Sequence, residues 1–346
     1  MSEYQYYEFV AIDAPLTTVQ MAELRARSSR AVITPTSFVN EYHWGDLKGD
    51  PSDWMRRYFD AHVYVANWCS CWLLLRVPKD TFDVNTLNSF ATPSSFTVER
   101  AGRHWILGWE LSEGQDDDRF GAEDGRGWMG RLVALRDELL RGDQRPLYLG
   151  WLAGVSAGEI GDDAVEPSPP PGLSRLTAAQ QSLVEFLEID SDLLTAAASG
   201  DQPQSDGDIG GEAAMDIWIA GLPESEGRLV IKQLVMGRAQ HAERQLQSRF
   251  LAWQQQQRVE IKTRPARRTV AALQGLTKSA AENRNRQQAI QRKQAEAEQQ
   301  AAREFYLRTL ADDFERCWKA AHARAERGTA AAYDDVQRAL VDLADA

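Results

Sequence analysis

From residue 278 to residue 304 the chain holds one large aliphatic side chain, Ile290, in a run of Ala, Gln, Glu, Lys, Arg and Asn broken by a single Ser. These residue types favour helix. They offer no apolar stripe wide enough to join a core, so the spacing predicts a helix that projects into solvent. Past it, Leu307, Leu310, Phe314, Cys317 and Ala321 recur at intervals of three and four, with Tyr306 and Trp318 widening the face. Such a stripe must pack on something. Its partner is either the preceding helix, with Leu229, Ile231, Leu234, Leu246, Phe250 and Trp253 folding back as an antiparallel hairpin, or another chain. Leu307, Leu310, Phe314 and Trp318 are the candidate packing interface.

Charge becomes uneven in the same region. Residues 224–328 hold 21 Lys and Arg against 12 Asp and Glu, whereas residues 1–223 hold 17 against 35, and the whole chain is acidic at net −12. An acidic body repels polyanions over about a Debye length, so general polyanion binding is excluded and any phosphate contact is local to the basic arm. Candidate contacts are Arg258, Lys262, Arg264, Arg267 and Arg268 around Pro265, then Arg284, Arg286, Arg292 and Lys293 along the helix. Without interleaved aromatics such binding would be shape-driven and salt-sensitive. A solvated helix accounts for the same residues, and the arm's charge could equally dock on the acidic body of its own chain or of a second subunit.

A length of 346 residues with 43% hydrophobic content suits about two domains. Residues 4–12, rich in aromatic and β-branched side chains, read as a strand with both faces covered at least in part. Thr17 with Gln20 forms a capping box and Leu16 with Met21 a hydrophobic staple, so a helix opens there. Residues 31–39 look extended, 51–58 helical, and 62–68 and 72–77 read as strands joined by a turn around Cys69–Cys71. A hairpin pairs 96–101 with 104–111 through Gly102. This alternation predicts α+β: a mixed-sheet α/β sandwich covered by helices on one side, then an all-helical region with a long charged helical hairpin or coiled-coil arm. Eight of eleven tryptophans lie before residue 160, so the dense core belongs there. Helices are expected at 128–141, 145–159 and from Thr177, where Gln180 completes a second capping box. Pro167, Pro169, Pro170 and Pro171 stiffen the connector between the last two. The domains expected are a head at 1–112, its helical extension at 113–198, a polar linker at 199–211 and the helical arm at 212–346.

Chemistry is sparse in this sequence. His43, Asp46, Asp60 and His62 are residue types suited to a divalent metal or a general base, although their spacing fits no signature and a turn tied down by its own polar side chains explains the first two. Cys69-x-Cys71 lacks the spacing of a zinc pair, and three cysteines make no disulfide framework. Asp116-x-Asp118 continues to Phe120, where a calcium loop needs an oxygen ligand. Neither a Walker A motif nor a dinucleotide fingerprint, nucleophile elbow or H-E-x-x-H occurs. No catalytic residue and no cofactor is therefore assigned. No run approaches the ~18 apolar residues of a membrane span, and no basic stretch precedes an apolar run at the amino terminus, so a cytoplasmic protein without a membrane partner is expected.

The strings Tyr4-Gln5-Tyr6-Tyr7-Glu8-Phe9, Ala11-Ile12-Asp13, Ser28-Ser29-Arg30, Thr34-Pro35-Thr36, Trp44-Gly45-Asp46, Tyr58-Phe59-Asp60-Ala61 and Ala66-Asn67-Trp68, with Leu147-Tyr148-Leu149-Gly150-Trp151, resemble a family of uncharacterised bacterial proteins over about residues 1–190. That family has no established activity, so no residue role is carried over. The resemblance implies an α+β head, a bacterial cytoplasmic setting and a shared pathway or partnership with a SWIM zinc-finger protein. The functional expectation is a non-enzymatic interaction or scaffold protein acting through its helical arm, which binds a protein partner or itself. Nucleic-acid association through the basic arm is the alternative, and a metal-dependent enzyme using the His43/Asp46/Asp60/His62 cluster is the third.

Overall fold

The computed structural model describes residues 3–112, 114, 125–199, 211–237, 242–243, 246, 249–250, 253, 268–326 and 330–345. Two compact units divide the chain, Met1–Ala280 and Ala281–Ala346, so the helical arm expected from residue 212 onward is shared between them. The fold is α+β, with an N-terminal sheet followed by helices.

In the first unit, strands β1 (Gln5–Val10), β2 (Val32–Thr34), β3 (Ser37–Tyr42), β4 (Ala61–Ala66), β5 (Ser70–Pro78), β6 (Phe96–Ala101) and β7 (His104–Leu111) form one sheet in the order β2-β3-β1-β4-β5-β7-β6. Every pairing is antiparallel, where a mixed sheet was expected. Tight turns make β2–β3, β4–β5 and β6–β7 into hairpins, and short turns permit only antiparallel neighbours. The hairpin β2–β3 also replaces the single extended stretch expected at 31–39. Gly102, at φ +62, makes the β6–β7 turn.

Helices cover both faces of the sheet, where one covered face was expected. On one side Ala61, Val63 and Val65 of β4 join a large core with α3 (Val84–Phe90), α4 (Trp128–Leu132), α5 (Ala134–Leu140), α6 (Arg145–Ser156), α7 (Ala178–Phe186) and α8 (Ser191–Ala198). On the other side Tyr64 and Ala66 pack with Phe9, Phe38, Trp54 and Phe59 under α1 (Thr18–Arg27) and α2 (Pro51–Arg57). The reason is legible in β4 itself: all six of its residues are buried, and a strand buried throughout needs a layer on each face. Both capping boxes form, at Thr17 with Gln20 and at Thr177 with Gln180. The helix expected at 128–141 is two, α4 and α5, which meet at Val133.

Helices α9 (Gly211–Ala220) and α10 (Glu224–Val235) follow, and Trp218 packs with Phe250, whose ring stacks with Trp253. Helix α11 (Val270–Asp312) spans the boundary between the units. Its residues 282–306 are exposed without interruption. In the second unit the apolar stripe meets the closing helix: α12 (Phe314–Ala325) packs on α13 (Ala330–Asp345), burying Ala321 and half-burying Leu307, Leu310 and Cys317. An ion pair between Arg303 and Asp342 (2.5 Å) and a hydrogen bond from the Tyr306 hydroxyl to Asp342 (3.3 Å) pin α11 to α13. No helix among the described residues is long and apolar enough to cross a membrane.

Candidate functional sites

The four residues of the sequence-predicted cluster serve separate structural purposes. His43 lies in an exposed turn with its ring against Tyr4. Asp46, in the same turn, accepts the Tyr7 hydroxyl (2.7 Å) and the Leu47 amide (2.6 Å), and the Gln5 side chain donates to the Gly45 carbonyl (2.9 Å). The loop is thereby tied to β1. His62 is fully buried and stacks on Phe9 at 3.8 Å. Its Nδ1 lies 3.0 Å from the Glu8 carbonyl, which can only accept, so Nδ1 carries the proton and Nε2 is left as a buried acceptor without a partner. Burial pushes the imidazole down to about 3, against the opposing pull of the Glu8 carbonyl. Among the described residues no three His, Cys, Asp or Glu side chains are placed to hold a metal ion.

Asp60 belongs to a buried ion network that the sequence did not announce. Its Oδ2 accepts the amides of Ile12 (2.7 Å) and Asp13 (2.9 Å), and its Oδ1 accepts Arg76 Nη2 (2.7 Å) and Nε (3.0 Å). Arg136, almost wholly buried, reaches Asp13 at 2.7 Å and Asp60 at 3.8 Å, and donates from Nε to the Arg76 carbonyl. Burial alone would raise the Asp60 carboxyl. The amides of Asp13 and Ile12, together with Arg76 and Arg136, outweigh it and hold the group below its ordinary value. Two cations inside apolar surroundings, Arg76 in the strand Ser70–Pro78 and Arg136 beside Leu135 in α5, were the available signal.

Of the basic candidates, Arg258, Lys262, Arg264 and Arg267 lie outside the described residues. Arg284, Arg286, Arg292 and Lys293 stand on the exposed length of α11, with Arg292 paired to Glu296 one turn on. Arg268 sits elsewhere: its guanidinium clamps Glu166 with two bonds (2.7 and 2.8 Å) and donates to the Ala196 and Ala197 carbonyls. The Tyr148 hydroxyl also donates to Glu166 (2.5 Å), so this arginine is a structural cation of the first unit.

A concavity of about 970 Å³ opens where the loop after β5 and the β6–β7 turn face α10. Pro78, Lys79, Asp80, Thr81, Gly102, Arg103 and His104 form one wall, and Leu140, Glu226, Leu229, Val230, Leu246 and Arg249 the rest. This rim is fixed from behind, because the Lys79 amide donates to the Arg103 carbonyl (2.9 Å) and Trp105 Nε1 lies 3.2 Å from the Lys79 carbonyl and 3.3 Å from that of Phe82. Burial, joined by Arg76, holds the His104 imidazole below its ordinary value, against Asp13 and Asp60. No predicted site residue falls here, since the pattern arises only when the hairpin turn meets a helix more than a hundred positions away.

The second unit exposes several aromatic side chains. Phe305 is 74% exposed, Phe314 46% and Trp318 49%, and the last two rings stack 6.2 Å apart. Leu307 and Leu310 from the same predicted interface are half-buried instead. No family model, curated protein or solved structure matches the chain.

Proposed function

We propose that this chain is an interaction or scaffold protein that binds a protein partner through its helical segment 281–346, carried by the α+β head. The supporting observation is the set of exposed aromatic side chains on the second unit, Phe305 and the stacked pair Phe314 and Trp318. Water-exposed aromatic side chains held on rigid helices are the residues that dominate protein interfaces. The exposed stretch 282–304, whose one large aliphatic side chain is Ile290, acts as a spacer ahead of these aromatics. The resemblance of residues 1–190 to an uncharacterised bacterial family makes a SWIM zinc-finger protein the first partner to test directly.

The test is recovery of partners by tagged full-length protein from its native cell, with and without nuclease, against a Phe305→Ser/Phe314→Ser/Trp318→Ser variant. A discrete protein held in fixed ratio through nuclease treatment and lost in the variant is the expected result. Recovery unchanged by the triple substitution overturns the reading. Partners lost on nuclease treatment would instead favour nucleic-acid association through Arg286, Arg292 and Lys293.

A further inference from the structure

We infer that the cleft between the β6–β7 turn and α10 binds a small organic anion, its acidic head held by Lys79 and Arg103 and its apolar body lying against Leu140, Leu229 and Leu246. The volume, about 970 Å³, falls in the range of open clefts that receive one small molecule. Its two walls differ in character, although the helical wall also carries the Glu226–Arg249 pair. Cations occupy the strand-turn wall, and four aliphatic side chains, Leu140, Leu229, Val230 and Leu246, line the helical wall.

The strand-turn wall is net positive, Lys79 and Arg103 standing against the single carboxylate of Asp80. Arg249, on the opposite side, is already held by Glu226 at 2.6 Å. Among the described residues Lys79 has no carboxylate partner and faces only the Trp105 ring, at 5.9 Å, and Arg103 has neither an ion pair nor a side-chain hydrogen bond. Two unspent cations side by side stand out in a stretch, residues 1–223, where acidic residues outnumber basic ones two to one. They are also preorganised: Gly102, at φ +62, turns the chain so that Arg103 follows directly, and the Lys79 amide bond to the Arg103 carbonyl keeps the two backbones together. A monoanionic head meeting both cations gains charge-assisted hydrogen bonds whose geometry costs little ordering on the protein side. His104, half-buried on the same wall with its imidazole held below its ordinary value by burial and Arg76, adds a ring nitrogen.

The experiment is calorimetric titration of the full-length protein with decanoate and decyl phosphate, two heads on one apolar body, against decan-1-ol and inorganic phosphate as the separate halves. Both decyl anions are expected to bind at one site per chain, with each half binding roughly tenfold or more weakly. Whichever decyl anion binds more tightly identifies the head group. A Lys79→Gln/Arg103→Gln variant should weaken the anions about tenfold and leave decan-1-ol unchanged, and Leu229→Ser should weaken the anions alone of the charged probes. All three positions are exposed, so the variants keep the fold, and an unaltered thermal midpoint verifies this. Equal binding of decan-1-ol, equal binding of inorganic phosphate, no binding of either decyl anion, or affinity indifferent to the double substitution would each overturn the inference.

Discussion

His62 sets how this protein responds to mild acid. Its imidazole titrates near 3 when folded because burial penalises the charged form, whereas in the unfolded chain it takes a proton near 6.5. Between those values the unfolded state binds a proton that the folded state refuses, so stability is complete above about pH 6.5 and is lost as pH falls, by up to about 1.4 kcal/mol per pH unit. Urea midpoints at pH 7 and pH 5 should therefore differ clearly, and His62→Phe, which keeps the stack on Phe9, should remove most of that difference. Identical slopes in both proteins would show that His62 is protonated in the fold. Asp60 acts in a lower window. Its folded carboxyl is held down, so its contribution is present above about pH 3.9 and is lost as pH falls below that. Asp60→Asn leaves Arg136 buried with one carboxylate fewer and should cost about 3–5 kcal/mol at pH 7, measured by urea unfolding.

Helix α6 shows how an element can be specified by the absence of a side chain. A Cβ at Gly150 would lie 2.8 Å from Phe96 Cβ and Cγ, in the core between α6 and β6. Phe96 is itself fully buried and cannot retreat. Gly150→Ala should destabilise by about 1–3 kcal/mol despite its favourable helix propensity, and a gain in thermal midpoint would mean that α6 and β6 are further apart than described. Elements of this kind divide the legible from the illegible. The capping boxes at Thr17 and Thr177 were readable because they depend on residues three apart, and the β6–β7 hairpin because Gly102 sits at its turn. The ion network was not, since Asp13 and Arg136 meet across 123 positions and no local pattern encodes that encounter. Likewise Asp60 and His62 look like chemistry when read as neighbours, yet one faces two arginines and the other an aromatic stack.

At the scale of the whole molecule, the basic segment around residue 268 decides where the head ends. Thr269 bridges Val165, the Glu166 amide donates to the Arg268 carbonyl (2.9 Å), and the Val270 amide donates to the Ala164 carbonyl (2.9 Å). Val270 and Leu273 are then fully buried in the large core. Composition alone assigned these positions to a helical arm, whereas their contacts assign them to the sheet-bearing unit. A chain cut after residue 280 should thus unfold in urea as the head does within the full-length protein. A chain cut after residue 261 loses two core side chains, worth about 1.5–3 kcal/mol each, and strands the Glu166 carboxylate in the interior, for a further cost of about 3–5 kcal/mol. Arg268→Gln in the full-length protein isolates the second contribution, because it removes the clamp on Glu166 and leaves Val270 and Leu273 in place. The ordering expected from tryptophan fluorescence is full length and the 280 cut together, Arg268→Gln lower, and the 261 cut lowest. Equal midpoints for the two truncated chains would return residues 268–273 to the arm.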